Sequence, residues 1–114
     1  MKTLFYVLKD PSNTMDYYHL FLNVKDLRKK NYDVKIILEG YATSIVQKMS
    51  DKNHPLNVAY EDIKSSIVAV CRGCAIATKS LEAAEAQGLP VIGNLENHVA
   101  LEPFIKDGYN VVVF

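Results

Sequence analysis

The sequence predicts one α/β domain, residues 1–114, with a five-stranded parallel sheet covered by helices on both faces. Three observations carry this. Short apolar runs rich in branched and aromatic residues alternate with longer segments of helical spacing. The run Ile67-Val68-Ala69-Val70 is continuously apolar, as expected of a strand buried on both faces. Turn residues punctuate nearly every junction.

Lys2–Leu8 is the first predicted strand, ended by Lys9-Asp10-Pro11-Ser12-Asn13. Asn13 caps a helix from Thr14 to Lys30, in which Tyr17, Leu20, Phe21, Val24 and Leu27 form one apolar stripe. Val34–Leu38 is the second strand, closed by Glu39-Gly40. Tyr41–Lys52 follows as a second helix, with Ile45, Val46 and Met49 as its apolar side. Asp51–Pro55 is loop, and Asn57–Lys64 a short helix whose pattern also fits a strand. The third strand ends at Cys71, and a helix from Cys74 to Gln87 stops at Gly88. Pro90–Gly93 gives a brief fourth strand. Asn94 is placed to cap a helix reaching about Asp107, broken or kinked by Pro103. Val111–Phe114 is the last strand. The open five-stranded arrangement of this type has order 2-1-3-4-5, as in flavodoxin-like folds. That order sets the third strand beside the first, so that the loop Lys9–Asn13 faces Cys71 and the loop Gly93–Asn97 approaches from the other side.

Composition excludes several functions. Lys+Arg and Asp+Glu both total 13, so no basic excess marks a nucleic-acid binder. Leu4–Leu8 is too short for a signal segment or a membrane span, and a cytoplasmic protein with no membrane partner is expected. There is no G-x-x-x-x-G-K-[ST] phosphate loop, no G-x-G-x-x-G fingerprint and no nucleophile elbow. No cofactor is expected.

The chemistry is expected at the strand-to-helix turn Cys71-Arg72-Gly73-Cys74, which holds the only two cysteines. Two cysteines three apart are too few for a disulfide framework and point to sulfur, redox or metal chemistry. A helix N-terminus lowers a thiol pKa, Arg72 adds a fixed cation, and Gly73 allows close approach. A structural metal site needs four ligands and the pair supplies two, so none is expected. Among the histidines, only His98 is placed near the cysteines. Asn13, Asn94, Arg72, Gly73 and His98 are the candidate anion-stabilising or substrate-binding residues around catalytic Cys71 and Cys74. Cys74 equally fits a core position, sharing a helical face with Ala77, Leu81 and Ala84.

The layout resembles the DsrE/DsrF-like family, small proteins that include sulfur-relay subunits. The resemblance spans nearly the whole chain and is most specific at Val68-Ala69-Val70-Cys71-Arg72-Gly73-Cys74-Ala75, with supporting G-L-P-V-I-G and terminal V-V-V-F segments. It implies a homotrimer or homohexamer, or a hetero-hexamer with paralogues, and a strand-end cysteine, here Cys71, that takes a persulfide from a sulfur-donor protein and passes it to an acceptor. Relay members often carry a basic pair further along the next helix, whereas Thr78-Lys79-Ser80 offers one cation. The expected function is thus sulfur transfer, with Cys74 as resolving thiol. A C-x-x-C dithiol redox protein and a non-catalytic oligomeric binding subunit are the alternatives.

Overall fold

A computed structural model describes residues 1–114. Five strands, β1 (Lys2–Val7), β2 (Asp33–Leu38), β3 (Ile67–Cys71), β4 (Val91–Ile92) and β5 (Asn110–Val113), form one parallel sheet. Six helices accompany it: α1 (Thr14–Lys29), α2 (Ser44–Lys48), α3 (Asn57–Ile63), α4 (Arg72–Ala77), α5 (Leu81–Ala86) and α6 (Glu102–Lys106). The three-layer, flavodoxin-like α/β architecture is therefore present.

The strand order corrects the expectation. It runs β4-β3-β2-β1-β5, so β2 separates β3 from β1, and the strand order, not the strand direction, reverses at the β1–β5 boundary. Each of the first four strands pairs with its sequence neighbour, the commonest arrangement for consecutive elements. Only β5 returns to the far side of β1. The segment that follows β2, not the loop Lys9–Asn13, consequently stands next to Cys71.

The two faces of the sheet bury different amounts. The larger core joins Phe5, Val7, Val34, Ile36, Leu38, Ile67 and Val70 to α1, α2, α3 and α5. The α1 stripe performs as its spacing requires: Tyr17, Leu20, Phe21 and Val24 are buried, and Leu27 packs at the margin. Asn13 caps this helix, its side chain accepting from the Met15 and Asp16 amides at 3.0 and 3.4 Å. The smaller core, on the other face, holds Leu4, Ile37, Ala69, Cys71, Val99 and Tyr109 under α6.

A bulge decides where Cys71 points. Ile36 pairs with Ile67 but Ile37 pairs with Ala69, so Val68 is an extra residue on β3. Ile67 and Val70 therefore both belong to the larger core, while Ala69 and Cys71 join Ile37 on the opposite face. A strand slipped by one residue exchanges its two faces. Without the bulge, regular alternation from Ile67 would put Cys71 on the Ile67 side.

Two expected helices are interrupted. The segment Cys74–Gln87 is not one helix: α4 ends at Ala77, Lys79 takes φ 58°, and α5 starts at Leu81. Hydroxyls drive the break, since Thr78 Oγ1 is bonded to Thr43 Oγ1 at 2.8 Å and donates to Ser80 Oγ at 3.1 Å. Asn94 begins no helix. The chain from Asn94 to Leu101 is irregular, and only Glu102–Lys106 is helical, with Pro103 inside its first turn. Instead Leu95 and His98 exchange backbone hydrogen bonds of 2.9 and 2.8 Å across Glu96 (φ 46°) and Asn97 (φ 70°). Two successive positive φ angles make this a tight turn of the mirror-image hairpin type. Likewise Tyr41–Lys52 is a 3-10 turn, Gly40–Thr43, followed by the five-residue α2.

Candidate functional site

The carboxyl ends of β2 and β3 and the Leu95–His98 turn meet at one point. Glu39 extends the β2 ladder by one residue, its amide donating to Val7 O at 2.9 Å, so its side chain emerges on the same face as Ile37. Gly40 follows with φ 57°, turning the chain away. Cys71 closes β3 and is the N-cap of α4, its sulfur accepting from the Cys74 amide at 3.4 Å. Cys74 sits one turn into α4. The Leu95–His98 turn lowers its tip between two glycines: the Gly73 amide donates to Asn97 O at 2.9 Å, and a Cβ on Gly93 would lie 2.9 Å from Asn97 Oδ1. Arg72 Nη1 donates to Asn97 Oδ1 at 3.2 Å and holds the same turn from outside. His98 is thereby delivered to the cysteines.

One oxygen of Glu39, both sulfurs and one nitrogen of His98 lie within 4.8 Å of one another. His98 Nδ1 is 3.2 Å from Cys71 Sγ, 3.6 Å from Cys74 Sγ and 3.0 Å from Glu39 Oε1. The Cys74 thiol donates to Glu39 Oε1 at 3.0 Å. Glu39 Oε2 faces away and accepts the Val99 amide at 3.3 Å. Exposure is graded: Cys71 is 0 % exposed, Cys74 is half-buried, and the His98 side chain is 54 % exposed.

The electrostatics reverse one expectation. Burial, then the neighbouring Glu39 carboxylate, pushes the Cys71 thiol well above its ordinary range. The amide of Cys74 opposes this and loses. Cys74 is raised by the same two causes in the same order. Neither is a standing thiolate of the helix-N-terminus kind; α4 is only 6 residues long and the Glu39 carboxylate is already present. For Glu39, burial pulls the carboxyl upward, but hydrogen bonds from Cys71, Cys74, His98 and the Val99 amide outweigh it and leave the group below its usual value.

Of the residues expected at the site, Cys71, Cys74 and His98 converge there, with Gly73 and Arg72 supporting them through Asn97. Asn94 acts indirectly, its Oδ1 accepting the Ala100 amide at 3.0 Å and shaping the loop that carries His98. Asn13 serves as the α1 cap on the far side of β2. Glu39 and Asn97 were not expected. An acid terminating an apolar strand, in Val34-Lys35-Ile36-Ile37-Leu38-Glu39-Gly40, was the available signal for Glu39. None existed for Asn97, because the turn that uses it lacks the usual glycine. Cys74 is no partner of Ala84, which lies in the other core.

Fold and site together define a small α/β protein with two thiols, an imidazole and a carboxylate gathered at the open end of its sheet. No protein-family model matches the chain. It is 32% identical over 107 residues to the uncharacterized protein MJ0733 of Methanocaldococcus jannaschii, a match covering 94% of this chain and 87% of that one. The chain belongs to the MJ0733 family. Its fold is also that of a conserved protein of unknown function, BT1422 of Bacteroides thetaiotaomicron, at TM-score 0.69 and 16% identity, covering 97% of this chain and 94% of that chain.

Proposed function

We propose that this protein accepts and passes on sulfane sulfur through the Cys71–Cys74 pair. The observation that carries the reading is the position of His98 Nδ1, 3.2 Å from one sulfur and 3.6 Å from the other. Thiols whose protons are held tightly need a base at hand, and imidazole is the side chain suited to that near neutral pH. The half-exposed ring can return the proton to solvent. Resemblance to the sulfur-relay DsrE/DsrF-like proteins supports the same reading.

Exposure alters the order of events. Cys71 is fully buried and Cys74 is not, so an incoming donor meets Cys74 first. With its proton passed through Glu39 Oε1, which it already faces at 3.0 Å, to His98, Cys74 attacks the outer sulfur of a persulfide, R–S–S–H. The donor's S–S bond breaks, a Cys74–S–S bond forms, and R–S⁻ leaves, recovering a proton as R–SH. Cys71 then stands behind the persulfide as the second thiol. A C-x-x-C dithiol couple is the alternative use of the same pair, since the two sulfurs already lie within 4.8 Å.

Exposed Met15, Tyr18, Leu22 and Val58, on α1 and α3, fit a subunit interface, and the homotrimer or homohexamer is what the DsrE/DsrF-like resemblance implies. Tyr17 and Phe21, by contrast, are taken up by the protein's own core. No helix is long and apolar enough to cross a membrane.

The test is mass spectrometry of the intact, reduced, metal-free protein after exposure to a low-molecular-weight persulfide. The wild type gains one sulfur atom faster than free cysteine does, Cys74→Ser gains none at that rate, and His98→Ala loads slower by about 10²-fold. Loading of Cys74→Ser at the wild-type rate would remove the proposal.

A further inference from the structure

We propose that Glu39, Cys71, Cys74 and His98 form a four-coordinate binding site for one thiophilic divalent cation of the zinc class. The reading concerns the same side chains as the sulfur proposal but does not rest on it.

The first support is the convergence itself. Zinc bonds of about 2.3 Å to sulfur and 2.0–2.2 Å to nitrogen and oxygen give a tetrahedron with edges of about 3.4–3.8 Å. Sulfur, nitrogen and oxygen here stand 3.2, 3.6, 3.0 and 3.0 Å apart along four of the six edges, and no edge exceeds 4.8 Å. Small adjustments of the side chains, outward along the short edges and inward along any edge beyond about 3.8 Å, bring this cluster to the size of a metal site.

The second support is the shell behind the ligands. The Val99 amide holds Glu39 Oε2, which leaves Oε1 aimed inward as a single donor. The Cys74 amide points at Cys71 Sγ, a bond that favours the thiolate a metal requires. Asn97, fixed by Gly73 and Arg72, orients the turn preceding His98. These fasten three separate segments of chain around one centre, as a metal clamp does.

The third support is the crowding of three polar groups around one ring nitrogen. His98 Nδ1 has one position for a proton or a lone pair, yet three groups stand within 3.6 Å of it. When it donates to Glu39, the Cys71 thiol is left to the longer contact with Asn97 O at 3.7 Å. A cation satisfies all four atoms through their lone pairs at once. Two sulfurs in the donor set select zinc-class ions over magnesium or calcium, which require oxygen shells.

The experiment uses the full chain, reduced and stripped with a chelator, then titrated with Zn²⁺ against a chromophoric competitor and separately with Co²⁺. One equivalent should bind, and the cobalt form should show thiolate-to-metal charge transfer with the strong visible bands of tetrahedral coordination. Cys74→Ser, at a half-buried position and checked for folding by circular dichroism, should weaken zinc by more than about 100-fold, beyond the 10–100-fold typical of losing an outer-shell partner. Glu39→Gln and His98→Ala should each weaken it about tenfold or more and shift the cobalt spectrum. Octahedral cobalt bands without charge transfer, or zinc affinity unchanged in folded Cys74→Ser, would overturn the site. Neither readout involves persulfide, so the sulfur and metal proposals fail separately.

Discussion

Glu39 is held from behind by the main chain of Val99, 60 residues further on, with Val99 N at 3.3 Å from Oε2. This contact ties the end of β2 to the segment that carries His98. Glu39→Ala leaves that buried amide without a partner and should destabilise the metal-free protein by about 1–3 kcal/mol. Glu39→Gln retains an acceptor and should cost under about 1 kcal/mol. Urea denaturation of both variants checks the difference; equal losses would mean the amide bond is not what matters.

Gly73 and Gly88 separate two reasons for glycine. An added Cβ at Gly73 would lie 3.0 Å from Asn97 O, a backbone atom, whereas Gly88 has open space but φ 69°. Gly73→Ala should cost about 1–3 kcal/mol through overpacking and displace the Asn97–His98 turn, weakening zinc and slowing sulfur uptake. Gly88→Ala should cost about 1 kcal/mol in strain alone and leave both activities intact. Thermal melting together with the cobalt spectrum distinguishes them.

Asn13 tests the corrected strand order. Asn13→Ala removes the α1 cap and should lower stability by about 1 kcal/mol. Because β2 stands between β1 and β3, persulfide loading and cobalt spectra should be unchanged. A loss of loading in the folded variant would bring the β1–α1 loop back to the site.

Tyr17 and Tyr60 set the alkaline limit. Burial, followed by the nearby carboxylates of Asp10 and Glu61 respectively, raises both phenols above their ordinary value. A raised folded pKa gives stability that is complete below the unfolded phenol value of about 10 and is lost as pH climbs from there toward the folded value. The melting temperature should therefore fall above pH about 10, and two of the seven tyrosines should ionise only on unfolding, as followed by ultraviolet absorbance. In the double variant Tyr17→Phe, Tyr60→Phe the fall should be shallower.

Much of this was written locally. Alternation of apolar runs with helical spacing specified the α/β class, because strand and helix burial obey periods that short segments display by themselves. The α1 stripe and its Asn13 cap, the turn at Gly88 and the placement of Cys71 at a strand end were legible for the same reason. Among the histidines only His98 could be placed near the cysteines from the sequence, and its Nδ1 stands 3.2 and 3.6 Å from the two sulfurs.

Tertiary structure decided the rest. Which strands become neighbours depends on long-range packing, so β2 rather than β1 beside β3 had no local mark. That single pairing brings Glu39 to Cys74. The bulge that absorbs Val68 turns Cys71 toward the same face, and pairing register belongs to two strands rather than one. The Leu95–His98 turn forms with Glu96 and Asn97 at positive φ because it packs between Gly73 and Gly93, overriding the helix that Asn94 would otherwise start. The sequence by itself determined the fold class and the two sulfurs at its lip. Folding in three dimensions added the carboxylate and fixed the imidazole, since side chains 59 residues apart meet only when the sheet is assembled.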